Sequence, residues 1–318
     1  MSPTGRIVVV GDGVVGRRSV RALGGPTVVE RRAGRTAWIT DGLAPGDVVV
    51  LATPAPHAPP AAELGARGVS VVSVADDLGD TVELLELDDR FRAEGASLVV
   101  GAAMSPGLSG LLARHLSGQL AVADEVHVAV HATAGAACAR QHHRALRGRS
   151  LGWRDDGWVE RPAGSGRELA WFPEPVGARD CYRAELSDPL LLHRAFPEAR
   201  RITARMSATR RDRLTARLPM LRAPHPEGGI GALRVEVRGA DAAGRRETLV
   251  VGVAEFVGAI TAGVVTAFAG ALAGRRPGIT IPEGVVLAAD ATLPTRSLLG
   301  AVAATGVRLQ EFTGVPHA

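Results

Sequence analysis

The sequence predicts an α/β protein: an N-terminal Rossmann domain built on a parallel sheet, then a second α+β domain with a mixed or antiparallel sheet. Three observations carry this. Four β-branched residues, Ile7 to Val10, run straight into a glycine-rich turn and a helical stretch. Further short, wholly apolar runs then alternate with helical stretches, as in a parallel sheet buried on both faces. From Glu125 onward apolar and polar residues alternate, the mark of strands with one wet face.

In the opening turn Gly11, Gly13 and Gly16 fit G-x-G-x-x-G. Gly11 permits the tight bend, Gly13 lets backbone approach a pyrophosphate, and Gly16 lets helix pack close to strand. The helix expected over Val14 to Leu23 would aim free N–H groups and its positive dipole end at that phosphate. Asp12, Val14 and Val15 therefore join the glycines as cofactor-binding candidates. Gly24-Gly25-Pro26 ends the helix, since glycine caps it and proline cannot continue it. A second apolar run, Thr27 to Glu30, ends in a carboxylate nineteen residues after Gly11, where the dinucleotide fingerprint puts the group that bonds the adenosine ribose. Glu30 favours NAD and repels a 2′-phosphate, whereas Arg31 and Arg32 beside it do the reverse. NAD is the leading expectation and NADP the alternative.

A chain of 318 residues holds one large domain or two of ordinary size. Hydrophobic residues make up 46% and aromatics only 3%, so Val, Leu and Ala must fill the core. The pI of about 10.2 is no nucleic-acid signal. The chain has no lysine and one tyrosine, so little but arginine titrates at high pH, and the formal charge is only +4. Arg31-Arg32 and Arg210-Arg211-Asp212-Arg213 are short clusters, read as solvated faces. Cys138 and Cys181 give no disulfide framework. No charged segment with an apolar stretch opens the sequence. Val253 to Ala273 is apolar, but its Glu255, glycines and threonines make it a poor membrane span. The expectation is a soluble, cytoplasmic protein that binds a small molecule and neither nucleic acid nor membrane.

Taken in order, Asp47 to Pro54 is a third strand, whose C-terminal end places Thr53 and Pro54 beside a bound dinucleotide. His57 follows on a proline-rich loop and reads as solvated or near the site. A helix is expected over Ala61 to Arg67 and a strand over Val69 to Val74, with Asp76 and Asp77 capping the next helix. Leu78 to Glu94 has helical spacing, and Ser97 to Ala103 is a fifth strand. It delivers the turn Met104-Ser105-Pro106-Gly107 before a helix over Leu111 to Leu116. Strand, tight turn and helix opening make Met104, Ser105 and Pro106 a second set of cofactor-binding candidates.

In the second half, Glu125 to His131, Arg201 to Ala208 and Leu233 to Val237 read as half-wet strands. Between them a helix over Cys138 to Leu146 puts Cys138 with His142, and Arg140 with Arg144, on shared faces. One reading has Arg140 or Arg144 grip a substrate carboxylate while His142 or His143 handles a proton; the other is an exposed basic helix. A metal would need two more suitably spaced ligands and none is apparent, so no metal is expected. Arg222 to Gly229 is a loop, read as an ordinary connector or else a lid over the cleft, and Ala254 to Leu272 a long apolar helix buried between the domains. The tail carries a helix over Thr295 to Ala304 and a strand over Val307 to Phe312.

The glycine turn at Gly11, taken with Gly101-Ala102-Ala103-Met104-Ser105-Pro106-Gly107-Leu108, resembles the saccharopine dehydrogenase family in its saccharopine reductase-like branch. Asp156-Gly157, Phe172-Pro173-x-Pro175-x-Gly177 and Gly278-Ile279-x-Ile281-Pro282-Glu283 extend the likeness loosely over most of the chain. The resemblance implies a nucleotide domain over 1–124, a substrate and dimerisation domain over 125–275, and a tail over 276–318 that rejoins the first. It also implies hydride transfer between a nicotinamide and the carbon of an imine or secondary amine on a carboxylate-bearing substrate, in a homodimer. A sugar-dehydrogenase-type protein also ends strands in Ala-Thr-Pro, but that family commonly uses a lysine, and this chain has none. The non-catalytic alternative is a dinucleotide-binding or sensing protein that kept the fold alone.

Overall fold

The computed structural model describes residues 5–24, 27–29, 42–220 and 223–312. They fall into two compact units, Met1–Leu108 with Gly258–Gly306 and Ser109–Val257 with Val307–Ala318. In the first, β1 (Ile7–Val10) buries all four side chains, as β-branched residues do in a strand covered on both faces. α1 (Val14–Leu23) ends at Gly24 with φ 77°, and β2 (Thr27–Val29) follows. Next come β3 (Val48–Leu51), α2 (Ala58–Gly65), β4 (Ser70–Ser73), α3 (Leu78–Leu85), α4 (Asp88–Ala93) and β5 (Ser97–Val100).

The helix expected over 78–94 is two helices. The chain turns at Glu86-Leu87, and Asp88 and Asp89 open a fresh first turn, where carboxylates suit the positive helix end. α2 begins at Ala58 rather than Ala61. Its prolines sit in the first turn, where no N–H is needed, and the Asp80 carboxylate accepts the N–H groups of His57 and Ala58 at 2.8 and 2.9 Å. Asp77 caps α3 by accepting from the Asp80 N–H, as expected.

The second unit holds α5 (Leu108–Ser117), β6 (Val122–His131), α6 (Ala136–Ala145), β7 (Arg149–Arg154), β8 (Gly157–Pro162), β9 (Glu168–Trp171) and β10 (Ala178–Arg183). It continues with α7 (Asp188–Ala195), β11 (Arg201–Ser207), α8 (Arg210–Thr215), β12 (Ile230–Ala240) and β13 (Arg246–Phe256). α9 (Val257–Leu272), β14 (Gly284–Leu287) and α10 (Thr295–Ala303) return to the first unit, and β15 (Leu309–Glu311) closes the second.

The division at Leu108/Ser109 lies earlier than the boundary expected near 124. α5 is tied to α7: Ser109 Oγ donates to the buried Asp188 carboxylate at 2.5 Å, and the Arg114 guanidinium sits 4.1 Å from the Phe196 ring centroid. α5 also starts at Leu108 rather than Leu111, and α9 starts at Val257 rather than Ala254. Ala254 to Phe256 are still paired in register with Ile230 to Ala232. The tail does not rejoin the first unit as a whole: β14 and α10 do, whereas β15 pairs antiparallel with β13.

The first sheet has six parallel strands in the order β14-β5-β4-β3-β1-β2. Strand order reverses at β1, whose two neighbours are β2 and β3. The second sheet is mixed, ordered β15-β13-β12-β6-β11-β10-β9, with β7 and β8 appended. Only its β6–β11 pair is parallel among the described pairings. Val126, Val128 and Val130 of β6 are buried on one face, while the other face carries rows set by register: Arg201-Glu125-Arg238, Thr203-His127-Glu236 and Ser207-His131-Ala232. Among the described residues no helix is long and apolar enough to cross a membrane.

Candidate functional site

Strand order reverses at β1, and the carboxyl ends of β1 and β3 mark the place where open parallel sheets bind ligands. Gly11 lies there at φ 127°, and a Cβ on it would stand 2.6 Å from the Ala52 carbonyl oxygen. Both its conformation and the close approach of β3 exclude a side chain. A Cβ at Gly16 would stand 1.9 Å from the Gly11 carbonyl oxygen, so only glycine lets α1 fold back onto the turn. Gly13 differs. Its backbone is extended, it caps α1 without a side chain, and a Cβ there would meet nothing within 4 Å. The first turn of α1 carries neither an acidic residue nor a side-chain cap. A helix head with room in front of it and N–H groups aimed into that room fits a pyrophosphate. Asp12 flanks this room, exposed, with its carboxylate 3.9 Å from Arg17. Val14 is buried, and a Cβ on Gly258 would stand 2.6 Å from it, so α9 braces the head of α1.

Thr53 borders the same turn, its backbone nitrogen 3.2 Å from where a Gly11 Cβ would stand. Pro54 follows it. Behind them His57, read from sequence as solvated or near the site, is fully buried. Its Nε2 lies 2.9 Å from the Thr53 carbonyl oxygen and its Nδ1 2.9 Å from Ser73 Oγ, so the ring ties the end of β3 to the end of β4. The Ser73 hydroxyl also accepts the Ala75 N–H at 3.2 Å, which leaves its proton for Nδ1 and the Nε2 proton for Thr53.

After β5 the chain turns at Met104-Ser105-Pro106. Gly107 takes φ 135°, and a Cβ on it would stand 2.3 Å from the Ala103 carbonyl oxygen. The Met104 N–H is donated to Thr261 Oγ1 of α9 at 3.3 Å, and the side chains of Met104 and Pro106 are buried. Ser105, half-buried, is the member of the trio with side-chain surface to offer a ligand. Glu30 and Arg31 lie outside the described residues.

In the second unit α6 forms as expected, and Cys138 Sγ and His142 Nε2 come within 3.7 Å, one turn apart. His142 and His143 line a cavity of about 520 Å³ at the ends of β6 and β11, together with His131, Arg179, Ser207 and Asp212. His143 Nε2 lies 2.9 Å from the Leu218 carbonyl oxygen. Arg140 and Arg144 are exposed and not among the residues lining this cavity; Arg144 donates to Gln141 Oε1 at 2.7 Å. Helical geometry turns their side of α6 away from the wall that His142 and His143 provide. The cavity's cation is Arg179 of β10, which sequence reasoning passed over. Nor did alternation single out His131, because it could not say which strand end meets which. Burial, and then the nearby Arg179 charge, hold the His131 imidazole below the ordinary histidine range.

No protein-family model matches this chain, and no curated protein sequence does. Solved structures do. The apo saccharopine dehydrogenase (L-Glu forming) of Saccharomyces cerevisiae superposes with a TM-score of 0.69 at 12% identity, over 97% of this chain and 99% of that one. C. glutamicum DAP dehydrogenase in complex with DAP matches with a TM-score of 0.52 at 14% identity, over 95% and 98% of the two chains. An engineered D-amino acid dehydrogenase bound to NADP+ gives 0.51 at 14%, over 93% and 96%. The two-unit fold expected from the sequence is thus the fold of these dehydrogenases.

Proposed function

We propose that this chain is an NAD(P)-dependent oxidoreductase that transfers a hydride to or from the carbon of a C–N bond in a carboxylate-bearing small molecule. The observation that carries the reading is the Gly11–Gly13–Gly16 turn at the reversal point of the sheet. There two glycines are demanded by packing and the third leaves open room at a helix head. Gly11, Gly13, Val14, Val15 and Gly16 would hold the pyrophosphate through backbone N–H groups, with Asp12 beside it. Thr53, Pro54 and the Met104–Pro106 turn would bracket the nicotinamide, and Glu30 and Arg31 would meet the adenosine ribose. When bound, the nicotinamide supplies or accepts the hydride. The chain's own task is to hold the carbon at near-attack distance and to neutralise the substrate's acid groups. His142 and His143, which line a cavity of the second unit, would give or take the proton at nitrogen. The dehydrogenase folds that this chain shares support the reading.

The test is turnover. The protein is mixed with NADH or NADPH, a panel of 2-oxo acids and a panel of amines or amino acids, and nicotinamide oxidation is followed by absorbance. Oxidation that requires both the oxo acid and the amine supports the reading. Tight nucleotide binding with no oxidation by any pair favours the non-catalytic dinucleotide-binding alternative, and no nucleotide binding ends both.

A further inference from the structure

The cavity of the second unit has a polar pair that neither the fold nor the reaction assigns. His131 closes β6 and Ser207 closes β11, each one residue past the last pair of that parallel ladder, with His131 Nδ1 2.7 Å from Ser207 Oγ. The other ring nitrogen, Nε2, has no partner among the described residues. Across the cavity Arg179 donates to the Ala178 carbonyl oxygen at 3.1 Å, and no carboxylate among the described residues pairs with it. The two acids that share the lining are committed elsewhere. Asp180 pairs with Arg167 at 2.9 Å, and Asp212 accepts the Thr209 N–H and hydroxyl at 2.8 and 2.7 Å in a capping box. Between these polar groups the wall is apolar, from Leu146, Met206, Met220 and alanines.

From this geometry we infer that the cavity is a binding site for an aliphatic carboxylate, with Arg179 as its counter-ion and His131 Nε2–H as a second donor. A guanidinium without an acidic partner is a ready site for one carboxylate. The carboxylate selects the tautomer in which Ser207 donates to Nδ1 and Nε2 carries the proton. A chain of a few methylene groups lies against the methionines and Leu146, and the volume suits a small ligand. The assignment rests on the oxidoreductase reading only in calling the bound acid a substrate.

The probe is hexanoate, with 1-hexanol as its uncharged match, titrated calorimetrically into the full chain with and without saturating NADH. Hexanoate is expected to bind about 10-fold or more tightly than 1-hexanol. Arg179→Met should bring hexanoate down to the hexanol level, and Arg179→Lys should restore part of the difference. His131→Phe, which keeps an aromatic ring of similar bulk and removes both ring nitrogens, should weaken hexanoate by about 3- to 10-fold and leave hexanol unchanged. Melting curves of each variant confirm that it is folded. Equal binding of the two probes to the wild type overturns the assignment. So does undiminished hexanoate binding by Arg179→Met, or a loss that appears in Arg140→Ala and Arg144→Ala instead. If hexanoate binding follows Arg179 while no amine and oxo acid pair is ever turned over, the oxidoreductase reading fails and the site stands.

Discussion

Replacing Gly13 with aspartate separates the stability of the glycine turn from its proposed function. Gly13 already has the extended backbone of a helix N-cap, at φ −76°, and a side chain there meets nothing within 4 Å. Aspartate is a better N-cap than glycine by a few tenths of a kcal/mol, and its charge suits the helix head by roughly another 0.3–1 kcal/mol. The Gly13→Asp protein should therefore melt no lower than the wild type. The same carboxylate occupies the room that the proposed pyrophosphate would fill. Two charges about 4 Å apart repel by about 4 kcal/mol at an effective dielectric of about 20, or roughly a thousandfold in Kd. Gly13→Ala adds bulk without charge and should weaken binding by about 10-fold. Differential scanning fluorimetry and calorimetric titration with NADH and NADPH measure both quantities. If Gly13→Asp bound either dinucleotide within about 3-fold of wild type, the helix head would not be a phosphate site.

The neighbouring glycine behaves in the opposite way. Gly16→Ala drives a Cβ to 1.9 Å from the Gly11 carbonyl oxygen, a backbone atom that cannot swing aside. The expected cost is about 3 kcal/mol or more, read as a lower urea midpoint by circular dichroism, and an unchanged midpoint would contradict the packing. His57→Leu should cost about 2–4 kcal/mol, because it strands the buried Ser73 hydroxyl and removes the donor to Thr53. A parallel rise in cofactor Kd is the companion readout, since Thr53 borders the turn. His127, His131 and His193 are all held below the ordinary histidine range, chiefly by burial. The folded state thus binds fewer protons than the unfolded one just below pH 6.5, and their contribution is complete above the unfolded pKa of about 6.5 and lost as pH falls through the lower folded values. Thermal melts should be flat from pH 7 to 8 and fall below about 6.5, less steeply in His127→Gln; a rise in stability on acidification would refute it.

The first unit is readable because most of its strands are short, self-contained apolar runs. Ile7–Val10 and Val14–Leu23 emerge with the expected bounds. What escaped depended on partners distant in sequence. α2 starts at Ala58 because Asp80, far along the chain, accepts its leading N–H groups, and His57 is interior because Ser73 awaits its ring. In the second half the densest polar cluster drew attention to Arg140 and Arg144, which lie on the outer side of α6. That helix does give His142 and His143 to the cavity, but the other polar groups come singly from strand ends, His131, Arg179 and Ser207. Alternation marks each as polar, but only the pairing of β6 with β11 brings His131 and Ser207 together.

The sixth strand of the first sheet has a consequence for how the chain is made. β14 arrives after the whole second unit, yet it pairs with β5, while Ser97 Oγ donates to the Pro282 carbonyl oxygen and the Asp88 carboxylate accepts the Val285 N–H. During synthesis the emerging first unit must wait with the margin of β5 bare until the ribosome has delivered residue 287. A nascent chain halted before that point would offer this margin to chaperones or to another unfinished copy. Splitting the gene at residue 108 would strand the first segment in that condition, whereas fusing residues 258–306 directly to 1–108 would supply the missing strand.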